Sequence, residues 1–294
     1  MSGRLAISAG DPAGIGPEIV VKALAEVRLR ERPLVAGDPE QLRGVDADVI
    51  AAGEAVGEVG AASGRSAAAA IRAALDAVRS GDAAALVTGP VSKSALAAAG
   101  HPGGQTEQLA ALCGVRDVHV LIAGGGLHVV HVTAHRSLAD AVAAVTFDRV
   151  TRAISLAADH ARRLGTRARI GVAGLNPHAG ENGLLGDEEL RVIAPAIEAA
   201  RAAGVDVSGP HSADTLFPRA EDFDVIVAMY HDQGHVPVKL LAGGAAVAMS
   251  LGLPVIRTSA DHGAAPEIAG RGIADPRSMI AAIELAERLT CSSR

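Results

Sequence analysis

Short apolar runs alternate with longer Ala-rich stretches along most of the chain. Residues 4–9 read as a strand, 10–16 as a loop and 17 to about 30 as a helix. Pro17 stands at the first helical position, where no backbone donor is needed. Strands at 33–36 and 84–88 and helices at 63–80 and 94–99 continue the alternation, which implies α/β layers. Residues 118–123 and 127–133 flank Gly124, Gly125 and Gly126 and read as an antiparallel hairpin. No helix opens after these glycines, so they make a poor dinucleotide-binding turn. A helix at 147–164, a strand at 168–173, a loop to 186, a helix at 188–203 and a strand near 225–229 follow.

No repeat, linker or charge block marks a domain boundary. A chain of 294 residues is near the size at which one core gives way to two. Two lobes with a central cleft are therefore expected.

Composition refines this picture. The hydrophobic content of 49% comes mainly from Ala and Val in runs broken by charge. None approaches the roughly 20 apolar residues of a spanning helix. The first residues read as a strand rather than a signal peptide, so a cytoplasmic protein with no membrane partner is expected. A net charge of −6 without a basic run argues against nucleic acid, and 1% aromatics removes the stacking platforms of single-strand binders. Cys113 and Cys291 offer no disulfide framework or clustered metal spacing.

The conspicuous chemical resources are eleven histidines and a rationed lysine, present only at 22, 93 and 239 among 27 Lys and Arg. Such rationing singles out Lys239, and after it Lys93, as positions that need a compact ammonium. Lys22, inside an apolar helical run, reads as a surface residue with a buried stem.

Tyr230-His231-Asp232-Gln233-Gly234 gathers the sole tyrosine, an imidazole, a carboxylate and an amide shortly before Lys239. His135, His178 and His231 all stand at or just after expected strand ends. Three imidazoles so placed either converge on a divalent metal at a cleft or remain hydrogen-bonded loop and core histidines. His128 and His131 read as structural, and His211, His235 and His262 as groups that orient a ligand from behind. The loop GDPAGIGPE is either an anion-binding helix N-terminus or a tight turn capped by Asp11. TGPVSK and GGQTE are candidates to line a polar pocket, and Arg257 offers a fork for carboxylate or phosphate.

GDPAGIGPE, TGPVSK, GGQTE, LNPHAGE, ADTLF, AMYHDQG, LGLPVIRTSADHG and AGRG occur in one order, and in this the chain resembles the 4-hydroxythreonine-4-phosphate dehydrogenase (PdxA) family over nearly its full length. The resemblance implies a two-lobed α/β/α fold like that of isocitrate and isopropylmalate dehydrogenases. The first lobe is expected at 1–115 plus 255–294, and the second, with a dimerisation hairpin and the metal residues, at 116–254. It implies NAD or NADP, a small anionic substrate, and a homodimer with the active site at the subunit interface. A divalent metal (Zn, Mg, Mn or Co) would be held by His135, His178 and His231, one of them from the partner. Substrate contact falls on Gln105, Thr106, Lys239 and Arg257, and proton transfer on Lys239, Asp232 or Asp214.

The chain departs from the family pattern where Gln105 replaces a histidine and Ala248 an asparagine. The implied reaction is oxidation of a secondary alcohol beside an acid group, with decarboxylation, on 4-phosphohydroxy-L-threonine. The alternatives are D-erythronate or D-threonate 4-phosphate, or the cis-dihydrodiol of terephthalate. A metal enzyme without redox chemistry and a ligand-binding protein are the readings of another class.

Overall fold

The structure, a computed structural model, describes residues 3–101 and 103–291. The chain forms two compact units, one comprising the residues up to Val118 together with those from Gly244 on, the other His119–Gly243.

In the first unit, β1 (Leu5–Ser8) is buried throughout and leads into α1 (Gly16–Glu26). α1 stops short of the expected residue 30 because Val27 is already extended, with ψ 149°. Then come β2 (Leu34–Gly37), β3 (Asp48–Ala51), α2 (Ala61–Ser80), β4 (Ala85–Thr88), α3 (Lys93–Ala98) and α4 (Gln105–Cys113). β3 was not among the expected strands; its short apolar run, Val49 to Ala52, lies mostly exposed rather than in the core. Ala70, Ile71, Ala74 and Leu75 give α2 a fully apolar stripe at helical spacing, which packs with Ala6, Ala36 and Leu86 of the strands beneath.

The second unit begins with β5 (His119–Gly124) and β6 (Leu127–His131), the expected antiparallel hairpin. α5 (Leu138–Ala143) and α6 (Phe147–Arg163) follow, each started by a hydroxyl cap: Ser137 accepts from the Asp140 amide and Thr146 from the Arg149 amide. β7 (Ile170–Ala173) leads into a turn at Pro177–Gly183, and a π turn at Glu189–Ile193 enters α7 (Ala194–Ala202). β8 (Val207–His211), α8 (Ala213–Leu216) and β9 (Val225–Ala228) precede α9 (His231–Ala242). β6, β9, β7 and β8 pair in parallel in that order.

The chain then returns to the first unit with β10 (Val247–Leu251), β11 (Ile256–Ala260) and α10 (Arg277–Cys291). The sheet of this unit runs β3-β2-β1-β4-β11-β10, all parallel except β10. The expected second lobe extended to residue 254. β10 instead pairs antiparallel with β11, which carries 244–254 into the first unit. Among the described residues, no helix is long and apolar enough to cross a membrane.

Candidate active site

The GDPAGIGPE loop is a tight strand-to-helix turn. The Asp11 carboxylate accepts from the Ala13 amide at 3.0 Å and the Ser92 amide at 3.3 Å. The Ile15 amide, at the N-terminus of α1, donates to the Ala264 carbonyl at 2.8 Å. Lys22 is a clamp rather than a snorkelling surface group. It bonds Glu18 and the carbonyls of Gly272 and Ala274, whose amides in turn donate to Glu18.

Three of the expected substrate residues meet within the first unit. Arg257 sits on β11 at 4% exposure, and burial pushes its pKa down to about 10, so the guanidinium keeps its charge at neutral pH. It donates to Thr88 Oγ1 from Nε and Nη2 (3.1 and 2.7 Å), to Ser250 Oγ from Nη1 (3.0 Å) and to Gln105 Oε1 from Nη2 (3.2 Å). All these partners are neutral. Gln105 Nε2 donates to the Gly89 carbonyl, which fixes the amide with its oxygen toward the arginine. Thr106 Oγ1 lies 3.3 Å from Ser250 Oγ. The sequence reading did not single out Ser250. Its role comes from β10 lying beside β11, which pairing alone decides.

In the second unit, β9 is buried along its whole length and delivers Tyr230 to the cap of α9 and His231 to its first residue. The amide and hydroxyl of Thr133 both donate to the Met229 carbonyl, joining the exits of β6 and β9. This brings the His135 and His231 rings to 5.6 Å between centroids. Both line a pocket of about 380 Å³ with Thr133, Arg136, Tyr230 and Asp232. His231 Nδ1 donates to Asp232 Oδ1 at 2.7 Å, leaving the Nε2 lone pair for a Lewis acid. Lys239 is on α9 two turns beyond His231, about 12 Å along the axis, and does not line this pocket.

Behind His231 stands a chain of imidazoles. His235 stacks on it at 3.7 Å with planes 13° apart, and His235 Nδ1 lies 3.1 Å from His131 Nε2. His131 Nδ1 must donate to the Val120 carbonyl, and burial lowers its pKa to about 3, so the ring is neutral and its Nε2 accepts from His235. A Cβ on Gly234 would lie 2.4 Å from His131 Nε2, so only glycine lets α9 approach the ring this closely. His235 thus packs between His231 and the buried His131. His128 pairs with His160 at 2.9 Å, while His211 bonds Ser208 and His262 the carbonyl of its neighbour Gly263.

The neutral His131 has a consequence for stability. Its folded pKa lies below the ordinary 6.5, so the unfolded chain binds a proton more readily between these values. Stability from this group is complete above about pH 6.5 and falls by about 1.4 kcal/mol per pH unit below it, down to about pH 3. Urea midpoints measured from pH 7 to pH 5 should decline accordingly.

Gln233 ties the two histidine loops together. Its Oε1 accepts from the Met229 amide at 2.6 Å and its Nε2 donates to the Gly174 carbonyl at 2.7 Å. Beyond Gly174, five consecutive residues from His178 to Asn182 have φ between 45° and 77°. This left-handed turn, four of whose residues are not glycine, costs on the order of 1–2 kcal/mol at each of those four. It presents an exposed His178. The Ser212 hydroxyl, and to a lesser degree His178, hold the Asp214 carboxyl below its usual range. Among the described residues of one chain, no group of three or more His, Cys, Asp or Glu is arranged to hold a metal ion.

Residues 14–286 match the model of the pyridoxal phosphate biosynthetic protein PdxA. The chain belongs to the PdxA family. It is 45% identical to the 4-hydroxythreonine-4-phosphate dehydrogenase of Beijerinckia indica, covering 97% of this chain and 94% of that one. It is also 45% identical to the D-threonate 4-phosphate dehydrogenase of Cupriavidus necator, over 97% of each. The crystal structure of the 4-hydroxythreonine-4-phosphate dehydrogenase from Klebsiella pneumoniae superposes with a TM-score of 0.89 at 42% identity, covering 98% of this chain and all of that one. The α/β fold of this PdxA member is shared with β-decarboxylating dehydrogenases.

Proposed function

We propose that this PdxA family member is a dehydrogenase that oxidises the secondary alcohol of a small phosphorylated hydroxy acid, using NAD or NADP and a divalent metal. The observation that carries the substrate class is Arg257, a buried cation whose hydrogen-bond partners are all neutral. A guanidinium has five N–H donors, and these bonds use four; Glu107 acts on the charge only through space, so one donor and a cation without a hydrogen-bonded carboxylate remain for an anion. The histidine set suits a divalent cation: two imidazoles share one pocket, and a carboxylate holds one in the tautomer that frees Nε2. Among the described residues of one chain three ligands are not assembled, and a homodimer whose partner completes the set of His135, His178 and His231 is the proposed arrangement.

When bound, the cation would acidify the substrate alcohol and the nicotinamide would take its hydride. The protein's own groups bind and orient. Arg257, Gln105 and Thr106 receive the anionic end, and Asp232 and His235 keep the His231 ring in place. Lys239, exposed on α9 and outside the histidine pocket of its own chain, is the proposed proton carrier at a site that the homodimer completes, with Asp214 beside His178 as the alternative.

4-Phosphohydroxy-L-threonine, D-threonate 4-phosphate and D-erythronate 4-phosphate all fit this reading. Gln105 keeps all of them in view, because a neutral amide stands where the family pattern has a histidine. The test is reduced-nicotinamide absorbance with purified protein, a divalent metal and each compound in turn, the terephthalate cis-dihydrodiol included. Turnover of a phosphorylated hydroxy acid is expected. Turnover of the dihydrodiol alone would overturn the substrate class, and no turnover with any of them would overturn the reading.

A further inference from the structure

Glu189 is 2% exposed, and hydrogen-bond donors meet both of its carboxylate oxygens. Oε1 accepts from the Leu175 and Asn176 amides, each at 2.7 Å, and Oε2 from Asn176 Nδ2 at 2.9 Å. Asn176 Nδ2 also donates to Glu188 Oε2 at 2.7 Å. These donors lie at the entrance to the left-handed turn that carries His178. Glu189 also touches the middle of that turn, since a Cβ on Gly180 would lie 2.7 Å from its Oε2. It is the first residue of the π turn, whose bond runs from the Ala194 amide to the Glu189 carbonyl. Such single π turns recur at functional sites.

A left-handed run with four non-glycine residues persists only where its surroundings impose it. Within the loop itself, the Ala179 amide donates to Asn176 and the Leu185 amide to Gly180. The Glu189 carboxylate is a buried side chain that bonds the entrance of the turn and lies close against its middle, where the backbone of Gly186 also packs.

We propose that Glu189 is the positioning residue of His178, holding the left-handed turn in the conformation that presents this imidazole. The inference rests on the reading of His178 as a metal ligand. Glutamine at 189 has one acceptor oxygen instead of two, so its NH₂ faces either the two backbone amides or Asn176 Nδ2. Donor then meets donor, and the turn loses its anchor.

The test is titration of cobalt(II) alone into metal-free protein, read by calorimetry and by the visible spectrum of the bound ion. It compares the natural chain with Glu189→Gln, His178→Ala and the double variant. Each single change is expected to weaken cobalt(II) binding about 10- to 100-fold, the range for groups that orient a ligand. Glu189→Gln should add nothing once His178 is absent. Natural affinity in Glu189→Gln together with a loss in His178→Ala would overturn the inference alone. So would equal losses from Glu189→Gln in both backgrounds, because the carboxylate would then act on the unit as a whole. Natural affinity in His178→Ala would overturn the ligand assignment and this inference with it. Should Glu189→Gln fail to fold, Asn176→Ala, which removes one of the three donors, takes its place with the same outcomes.

Discussion

His231→Ala is expected to lower divalent-metal-dependent turnover by about 10²- to 10⁴-fold, the largest effect of any single change in the second unit. The side chain does three things at once. It lines the pocket shared with His135, its Nδ1 holds Asp232 and so leaves Nε2 unprotonated, and its face carries the His235 ring. On the proposed reading, loss of this ligand would forfeit the polarisation a bound cation would give the alcohol, worth several kcal/mol, and each 1.36 kcal/mol is tenfold in rate. The measurement is the steady-state rate at saturating metal and nicotinamide, with cobalt(II) affinity determined alongside. The chain should still fold, because the ring is only partly buried and the apolar β9 beneath it is untouched. Activity within a few-fold of the natural protein would sink the assignment of His231 as a ligand.

Arg257→Met is expected to act on binding. Hydrogen bonds to a charged group are worth about 1.5–3 kcal/mol, so KM for the phosphorylated substrate should rise by about 10- to 150-fold, with kcat changed much less. Methionine fills much of the same volume without a charge. Removing a guanidinium from a site that is 4% exposed relieves its desolvation while leaving Thr88, Ser250 and Gln105 without their donor. These effects oppose one another, and the unfolding free energy should move by less than about 2 kcal/mol. Arg257→Lys should recover only part of the affinity, because an ammonium cannot reproduce the planar fork that spans Thr88, Ser250 and Gln105. A KM unchanged in Arg257→Met would remove the basis for an anionic substrate.

Much of the candidate site was legible in the residues themselves. A strand such as β9 announces itself as an apolar run ended by polar residues, so the chemistry of His231 and Asp232 could be placed at a strand exit. The same signals located the hairpin of β5 and β6, whose glycine turn is a local property. Rationing of lysine pointed to Lys239, yet Lys22 turned out to be bound to a loop 250 residues away in sequence, which no local pattern encodes. β3 has only a brief apolar run from Val49 to Ala52 and is largely exposed, and parallel pairing with β2 is what makes it a strand.

Local periodicity and turn chemistry, acting through a few neighbouring residues, determined the α/β class, the strand exits and the order of the motifs. Tertiary structure alone decided which groups stand behind those exits. Ser250 reaches Arg257 because β10 pairs with β11, and His235 meets His131 because α9 crosses β6 at a glycine. Glu189 meets Leu175 and Asn176 across a turn in the left-handed region, a conformation that its non-glycine residues disfavour on their own. Such contacts depend on sheet register and burial, which arise only when distant segments pack, so no window of sequence contains them.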